Sequence, residues 1–342
     1  MAPKINWGIL TTGGIARKFA RDLAQSRTGR LVAVGSRSRA SAEAFAREFG
    51  ADRAHGSYEA LLADPGVTAV YIATPHPWHR EWAERAAAAG KHILCEKPLA
   101  LRRDDAAHIV DAARRHKVFL MEAFMYRCHP QTAALVDLVR RGAIGDVRLI
   151  RAAFSVICPF DPEHRMFKRE LGGGAILDLG CYPVTFSRLI AGAATGHAFA
   201  EPVGLVASGH LHAATGTDDY ASAVVRFPGE IVAELSCGST VVSEIFARIH
   251  GSKGWIDVPV PFFPGLGARD ERVLLHRPDR DPVAVMFPGQ NLPLYAWEAD
   301  AVGQALAEGR LEAPQMPHAD SLGTAAMLDA WIAAVGGSYA GV

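Results

Sequence analysis

The sequence lacks long apolar runs and an excess of either charge. No run of about eighteen apolar residues occurs in its 342 residues, so we expect no transmembrane helix. Its 36 lysines and arginines balance 36 acidic residues. Nucleic acids and anionic membranes both require a basic surplus on the protein, so we expect neither as the main partner.

Cysteines are also few. The five cysteines are an odd number, lie far apart and form no C-x-x-C pair, so we expect neither a disulfide framework nor a zinc site. The first residues show no basic segment followed by an apolar stretch and a small-residue cleavage site, which argues against a secretory signal. We therefore expect a cytoplasmic protein with reduced thiols and no bound metal.

The first third of the chain alternates between short apolar runs and alanine-rich amphipathic segments. The apolar runs, which predict strands, cover 5–10, 31–36, 69–73, 92–95 and 118–121. The helical patterns between them lie near 14–26, 39–49, 79–89 and 102–116. Strands that alternate with helices of this length indicate βαβ units and a parallel sheet covered on both faces.

After about residue 145 the pattern changes to strands separated by turns. The predicted strands cover 146–158, 203–212, 220–227, 231–237, 244–250 and 255–258, and helices are predicted near 174–191, 294–309 and 318–336. These spacings indicate antiparallel meanders with one face packed and one face free. A free apolar face predicts a homodimer or a higher homo-oligomer joined through this sheet.

Together these patterns predict a two-domain fold. We expect an α/β Rossmann domain with a doubly wound parallel sheet over 1–124. An α+β domain with a large open, mostly antiparallel sheet is expected to follow over 125–342. At roughly 150 residues per domain, the length of 342 residues agrees with this division.

The first strand runs into a turn that resembles a degraded dinucleotide-binding motif. In the G-x-G-x-x-G/A pattern, Thr11 occupies the first glycine position, Gly13 the second and Ala16 the third. Glycines there permit a tight turn and a close approach to a pyrophosphate, which binds at the helix N-terminus. The alternative is a plain βα turn. The candidate cofactor-binding residues in this turn are Thr11, Thr12, Gly13, Gly14 and Ile15.

The end of the second strand carries Ser36 and Arg37 in place of an acidic residue. An acid at this position binds the free ribose hydroxyls of NAD, whereas an arginine pairs with the additional phosphate of NADP. The sequence therefore favours NADP(H) over NAD(H). The alternative is a solvated turn in which Ser38 caps the next helix.

Further candidates follow the next two predicted strands, since ligands bind outside the carboxyl ends of parallel strands. Thr74, Pro75 and His79 follow one strand, and Glu96 and Lys97 end the other. A metal at His79 is disfavoured because no carboxylate or cysteine stands at ligand spacing. A solvated charge pair is the alternative for Glu96 and Lys97.

A glycine-rich segment further along introduces a candidate acid/base residue. Asp178 and Tyr182 are four residues apart, so one face of a helix would carry both. A tyrosine hydroxyl titrates near ~10, and a lysine cation such as that of Lys97 lowers this pKa. Such a pair suits proton removal from an alcohol while hydride leaves to a nicotinamide. An ordinary buried hydrogen-bonding role is the alternative for Asp178.

At this point the sequence resembles the glucose–fructose oxidoreductase, inositol dehydrogenase and rhizopine-catabolism family. Within that family it is most similar to the dihydrodiol dehydrogenase and NADP-dependent D-xylose dehydrogenase branch. The resemblance covers essentially the whole chain. It is carried by Trp7–Ala16, Glu96-Lys97-Pro98, Met121–Pro130 and Gly172–Pro183.

The resemblance implies an oxidoreductase acting on a CH–OH group of a sugar, polyol or diol. It implies that Lys97 touches both cofactor and substrate, that Tyr182 is the acid/base, and that Thr74, Pro75 and His79 line the cofactor cleft. Thr11 departs from the usual glycine, which puts in question how closely a pyrophosphate approaches that turn. Candidate substrate contacts are Tyr126, Phe154 and Arg165, for which packing or surface roles are the alternative.

Two other functions compete with this interpretation. A catalytically silent, cofactor-sensing regulator can use the same fold, but intact Lys97, Asp178 and Tyr182 argue against it. A metal-dependent enzyme is disfavoured because no ligand set is visible. The identity of the substrate and the direction of the reaction do not follow from the sequence.

Overall fold

A computed structural model of the protein describes residues 4–265, 272–287 and 292–342. The chain forms two compact units and passes between them more than once. The first unit contains the described residues of Met1–Ala100, Asp104–His129 and Gln290–Ser321. The second contains those of Leu101–Arg103, Pro130–Gly289 and Leu322–Val342. The predicted domain boundary between 124 and 125 stays a prediction.

The first unit is built on a six-stranded sheet whose strands are all parallel. The strands are β1 Ile5–Leu10, β2 Gly29–Gly35, β3 Arg53–His55, β4 Ala69–Ile72, β5 His92–Glu96 and β6 Leu120–Ala123. Their order, β3-β2-β1-β4-β5-β6, reverses beside β1 as in a dinucleotide-binding fold. Leu10 pairs with Gly35 of β2 and with Ile72 of β4, so the carboxyl ends of these three strands are level.

Helices connect the strands of this sheet, and a short one follows the last strand. They are α1 Gly14–Leu23, α2 Arg39–Phe49, α3 Tyr58–Leu62, α4 His79–Ala88, α5 Arg103–His116 and α6 Met125–Cys128. The later helix α9 Leu294–Ala307 belongs to the same unit and packs against α1. It is held there by Asp300, which accepts hydrogen bonds from the hydroxyls of Ser26 at 2.6 Å and Thr28 at 2.9 Å.

The second unit contains an eight-stranded sheet in the order β14-β13-β12-β11-β7-β10-β9-β8. Only β7 and β10 pair in parallel, and the other described neighbours are antiparallel. The predicted fold class is therefore confirmed. The strands are β7 Val147–Ser155, β8 Gly204–Leu211, β9 Asp218–Phe227, β10 Ile231–Gly238, β11 Phe246–Gly251, β12 Gly254–Val258, β13 Leu274–Arg277 and β14 Arg280–Ala284.

One face of this sheet is covered by helix α8 Cys181–Ala194, which packs on β7 and β10. Along β9, Ala221 and Val225 point into that core, whereas Tyr220 and Val224, which each precede one of them, are exposed. This period of two places apolar residues on both faces. The remaining helices are α7 Pro130–Arg140 and α10 His318–Ala334.

Most predicted elements are present, with three kinds of difference. The short elements β3, α3 and α6 were not predicted, nor were α7, β13 and β14. The helix predicted over 174–191 begins with a π-helical turn, Ile176–Gly180, before α8. Several ends shift by a few residues, as in β6 Leu120–Ala123.

Across residues 4–265, 272–287 and 292–342, no helix has both the length and the apolarity to cross a membrane.

Candidate active site

The turn after β1 has a conformation that normally requires glycine. Thr11 has a φ of 92°, which is strained for a β-branched residue. Its hydroxyl accepts a hydrogen bond from Gly13 N–H at 3.3 Å and donates to the carbonyl of Ala73 at 3.4 Å. Helix α1 begins without a side-chain cap, and a Cβ on Gly14 would meet nothing within 4 Å. Uncapped N–H groups and open space at a helix N-terminus suit a bound anion.

The predicted NADP-reading residues lie at the end of β2. The Ser36 side chain is buried and accepts from the Ser38 N–H at 3.2 Å, and Ser38 in turn caps α2. Arg37 lies on a cavity of about 270 Å³ that Tyr58 also lines. Burial raises the pKa of Tyr58, and Arg37 opposes that shift. The other lining residues are Ser57, Glu59, Thr74, Pro75, Trp78, Glu81 and Trp82.

His79 lies inside the first unit. Its ring is fully buried, with Nε2 2.8 Å from the carbonyl oxygen of Thr74 and Nδ1 3.0 Å from that of Pro98. Burial lowers the pKa of this imidazole. His79 therefore links the loop after β4 to the loop after β5, and its predicted contact with a cofactor stays a prediction.

Glu96 and Lys97 end β5 beside this imidazole. The Glu96 carboxylate is buried and accepts hydrogen bonds from the Tyr71 hydroxyl and, at 3.2 Å, from the Lys97 N–H. The solvated-pair alternative is therefore wrong for Glu96, because its carboxylate is held inside the unit. Lys97 is partly exposed, as a residue that reaches a ligand must be.

The glycine-rich segment of the second unit leaves no room for side chains. A Cβ on Gly173 would lie 2.8 Å from the Arg165 carbonyl oxygen. Gly174 has a φ of 131°, and a Cβ there would lie 2.5 Å from Asp218 Oδ1. The other oxygen of Asp218 accepts from Ile176 N–H at 2.6 Å, at the start of the π-helical turn.

Asp218 and Tyr339 hold this turn in place, and the sequence analysis did not identify either residue. Tyr339 donates to the Gly173 carbonyl, and Asp218 is almost fully buried, which raises the pKa of its carboxyl to about 6. Neither residue lies in a motif, and both are far from the turn along the chain. Only the tertiary structure brings them to it.

Two predicted site residues, Arg165 and Asp178, contact each other. Arg165 donates from both guanidinium nitrogens to the two carboxylate oxygens of Asp178, at 3.2 Å and 3.1 Å. Asp178 is buried and Arg165 is about half exposed. A buried carboxylate requires such a partner.

Tyr182 lies in a cluster of aromatic rings in the second unit. Its ring centroid is 5.0 Å from that of Phe154, in an edge-on arrangement, 5.3 Å from Phe262 and 5.8 Å from Phe263. Phe154 is thus beside Tyr182, and its predicted contact with a substrate stays a prediction. Phe262 and Phe263 follow β12 in a loop, where the sequence carries no signal of a site.

The structure groups the predicted residues by unit. Thr11–Ile15, Ser36, Arg37, Thr74, Pro75, His79, Glu96, Lys97 and the fully buried Tyr126 belong to the first unit. Phe154, Arg165, Asp178 and Tyr182 belong to the second. The predicted pairing of Lys97 with Tyr182 joins residues of different units and stays a prediction. Within the three described ranges, no three His, Cys, Asp or Glu side chains are grouped as a metal ion requires.

Comparison with known proteins gives consistent results over both units. Residues 5–124 match the family described as "Oxidoreductase family, NAD-binding Rossmann fold", and residues 132–257 match the GFO/IDH/MocA C-terminal domain. The chain is 34% identical over 342 residues to trans-1,2-dihydrobenzene-1,2-diol dehydrogenase from Mus musculus, which covers 98% of both chains.

Two solved structures are similar over nearly the full length. An aldose–aldose oxidoreductase from Caulobacter crescentus, complexed with glycerol, has a TM-score of 0.86 and 25% identity, with 97% of each chain covered. A 3-ketoreductase from Actinomadura kijaniata, in complex with NADP and TDP-benzene, has a TM-score of 0.83 and 29% identity. That comparison covers 97% of this chain and 98% of the other.

Proposed function

The chain belongs to the GFO/IDH/MocA oxidoreductase family, and from this premise we propose that it is an NADP(H)-dependent enzyme that interconverts a hydroxyl and a carbonyl of a sugar, polyol or diol. Oxidoreductase activity on a CH–OH group follows from the family and its relatives. The preference for NADP(H), the substrate class and the residue roles are the proposal.

The observation that carries the proposal is the linkage of three loops at the carboxyl ends of β1, β4 and β5. Thr11 bonds to the Ala73 carbonyl, and His79 faces the carbonyls of Thr74 and Pro98. Lys97 therefore stands on a loop joined, through the β4 loop, to the turn that opens α1. A dinucleotide fold binds its cofactor along this edge.

The residues around this edge fit NADP. Arg37 borders the cavity with the aromatic rings of Tyr58 and Trp78, which offer flat surfaces for an adenine ring. Its guanidinium can pair with the ribose phosphate, and no acid follows β2 to accept from free ribose hydroxyls. One of the similar structures was solved with NADP, which supports the same choice.

We assign the proton transfer to Tyr182 and Lys97. In the oxidation direction, the Tyr182 phenolate takes the proton of the substrate hydroxyl as the carbon gives up its hydride and becomes a carbonyl. Lys97 contributes a cation that favours the phenolate and orients the reacting oxygen. Asp178 holds the Arg165 side chain close to this helix. Arg165 then offers its guanidinium to substrate hydroxyls. When bound, the nicotinamide accepts or supplies the hydride.

The relatives support a polyhydroxylated or cyclic substrate. By name, one is a dehydrogenase of trans-1,2-dihydrobenzene-1,2-diol, one is an aldose–aldose oxidoreductase and one is a 3-ketoreductase. The rings of Phe154, Phe262 and Phe263 beside Tyr182 offer an apolar wall for the carbon face of such a ring.

The experiment that tests the proposal is a substrate screen followed by two conservative variants. Wild-type protein is incubated with aldoses, glycosides, inositols, ketosugars and cyclic diols, with NADP and NADPH, and the absorbance of NADPH is followed. Tyr182→Phe removes one hydroxyl and Lys97→Met removes one charge. Each should reduce turnover by about 100-fold or more, as general acid–base groups typically do.

Two results would contradict the proposal. If Tyr182→Phe keeps wild-type turnover, the acid/base assignment is wrong. If the wild type binds NADPH but turns over nothing in the screen, the cofactor-sensing regulator becomes the better interpretation. A matched control is Tyr220→Phe, which removes the hydroxyl of an exposed tyrosine on the sheet and should leave turnover unchanged.

We also propose a homodimer joined through the exposed face of the second sheet and a cytoplasmic location. The dimer is supported by the exposed Val206 and Val224 on neighbouring strands β8 and β9. The location is supported by Cys95 and Cys237, which are buried thiols rather than disulfide partners.

A further inference from the structure

We infer that Glu122 and His79 are positioning residues that together hold the loop carrying Lys97. The sequence predicts His79 only as a residue of the cofactor cleft, and it predicts no role for Glu122. The inference rests on the function proposed above, because it concerns how Lys97 is kept in place for catalysis.

Glu122 holds the loop from one side. It lies on β6, opposite Cys95 of β5 in the sheet. Its Oε1 accepts a hydrogen bond of 2.8 Å from the N–H of Leu99, two residues beyond Lys97. A peptide group in a loop has no strand partner, so this carboxylate fills a place that backbone pairing leaves open.

His79 holds the other side of the same peptide group, from the first turn of α4. Its Nδ1 is 3.0 Å from the carbonyl oxygen of Pro98, and its Nε2 is 2.8 Å from that of Thr74. With the proton of the neutral ring on Nδ1, His79 donates to the Pro98 carbonyl, so the loop is held there through a C=O and at Leu99 through an N–H. Movement of the loop in either direction must lengthen one of these contacts.

The burial of both side chains indicates that they act through the loop. His79 is 0% exposed and Glu122 is 2% exposed. Each reaches a backbone group of the loop, Glu122 that of Leu99 and His79 that of Pro98. A carboxyl group inside an apolar sheet is costly, and burial raises the pKa of Glu122 to about 7. The presence of a carboxyl group at this buried position is explained by its hydrogen bond to the Leu99 N–H, which no apolar side chain can make.

The groups around Glu122 support the same interpretation. The Arg127 cation lowers the pKa of the Glu122 carboxyl group, while Asp320 raises it. Arg127 and Asp320 form a fully buried ion pair at 2.7 Å. The Glu122 carboxyl group lies in the field of this ion pair, and the Leu99 N–H is the hydrogen-bond donor that the described residues give it, because its Oε2 has no partner among them.

The loop matters because Lys97 has a long, flexible side chain. Its ammonium group can be placed precisely only if the backbone from which it starts does not move. A displacement of 1 Å at a catalytic group can cost about 100-fold in rate. We therefore expect loss of the Leu99 bond to reduce turnover with little change in KM.

The test uses a pair of variants that differ only in the acceptor. Glu122→Gln keeps an amide oxygen for the Leu99 N–H, whereas Glu122→Met keeps the length and removes the acceptor. We expect Glu122→Met to lower kcat at least about 10-fold with KM within about threefold, and Glu122→Gln to restore kcat to within about threefold of wild type.

A second pair of variants, at His79, tests the inference independently if Glu122→Met fails to fold. His79→Asn keeps a side-chain amide near the Nδ1 position, and His79→Gln keeps one near Nε2. If Nδ1 positions the loop through Pro98, kcat should be higher in His79→Asn than in His79→Gln. Equal loss in the two His79 variants would contradict that part of the inference.

The matched control is Asp300→Asn, in the same unit. Asp300 also accepts from backbone N–H groups, those of Arg27 at 2.9 Å and Thr28 at 3.1 Å, but it does not bond to the Lys97 loop. Its variant should lower the melting temperature and leave kcat unchanged.

Amide hydrogen exchange separates this inference from the proposed function. Exchange at Leu99 should accelerate at least about 10-fold in Glu122→Met and remain near wild type in Glu122→Gln. If the wild type turns over no substrate, the proposed function fails, and the exchange data still test whether Glu122 holds the loop. If Leu99 exchanges faster in Glu122→Met but kcat is unchanged, or if Glu122→Met and Glu122→Gln lose kcat equally, the positioning role is wrong.

Discussion

Single residues at the edge of the first sheet depart from common sequence patterns in ways that the structure explains. Thr11 stands where the motif has glycine and nevertheless has a φ of 92°. Its hydroxyl bonds to Gly13 N–H and to the Ala73 carbonyl, which offset part of the strain. The turn therefore keeps its shape without the glycine, so threonine at this position is compatible with the proposed pyrophosphate site.

Arg37 supplies a prediction about the choice of cofactor. Charge-assisted hydrogen bonds contribute roughly 1.5–3 kcal/mol each, so NADP should exceed NAD in kcat/KM by at least about 10-fold in the wild type. Arg37→Asp should narrow or reverse this order, because a carboxylate repels the phosphate and accepts from ribose hydroxyls. Steady-state kinetics with both cofactors measure the ratio.

Arg39 provides the comparison for this prediction. Its guanidinium already bonds to Glu43 at 2.8 Å, so Arg39→Asp should change the cofactor ratio less than Arg37→Asp. Equal efficiency with NADP and NAD in the wild type would show that Arg37 and Ser36 belong to an ordinary solvated turn.

At the scale of elements, the turn before α8 depends on distant chain segments. The C-terminal residues pack on it: Arg169 bonds to the carbonyls of Ser338 at 2.9 Å and Ala340 at 3.1 Å, and Tyr339 bonds to Gly173. Asp218, at the start of β9, receives the first N–H of the π-helical turn. The segment that leads through Asp178 into α8 is thus fixed by two separate parts of the second unit, the C-terminal residues and the start of β9.

Gly174 supplies a prediction for this element. Gly174→Ala would add a Cβ 2.5 Å from Asp218 Oδ1 at a φ of 131°, so both strain and collision oppose it. We expect a loss of about 3 kcal/mol or more in the free energy of unfolding, measured by urea denaturation.

The matched control is Gly196→Ala. Gly196 has a φ of 81°, but a Cβ there would meet nothing within 4 Å. Only the backbone strain applies, so we expect a loss of about 1 kcal/mol. Similar losses in the two variants would mean that the close packing of Asp218 and Tyr339 against the turn contributes little.

At the scale of the whole molecule, stability should depend on pH through buried acids. Burial raises the pKa of Glu122 from 4.5 to about 7, so the folded state binds this proton more tightly than the unfolded state. The folded state therefore loses stability as the pH rises from about 4.5 to about 7. Below that range both states are protonated, and the group has no effect.

Glu122→Gln removes this titration. At about 1.4 kcal/mol per pKa unit, the stability of the variant relative to wild type should rise by up to about 3 kcal/mol between pH 5 and pH 8. Urea denaturation at the two pH values measures it. A difference that does not change with pH would show that Glu122 titrates normally in the folded protein.

The proposed dimer gives the second prediction at this scale. Val206 is 69% exposed and Val224 is 43% exposed, which leaves apolar surface on the free face of the second sheet. Val224→Lys should shift the protein toward monomer in light scattering at micromolar concentration. Leu311→Lys, at an exposed residue of the first unit, should leave the mass unchanged. A monomeric wild type would contradict the proposed assembly.

The sequence by itself determined the order and type of the main elements. Continuous apolar runs predicted β1, β2, β4 and β5 within a residue or two, because buried parallel strands tolerate few polar residues. It did not predict β3, α3 or β14, because short elements bury too few residues to impose a period. The family resemblance is confirmed by the matches over 5–124 and 132–257.

Only the tertiary structure decided which side chains meet. Asp178 requires a partner on chemical grounds, but nothing in its spacing identifies Arg165. Glu122 and Leu99 meet because β5 and β6 are neighbours in the sheet, and Tyr339 meets Gly173 because the end of the chain packs on the glycine turn. Local sequence sets the backbone periods, whereas contacts between distant residues depend on how sheets and helices pack, which no local pattern records.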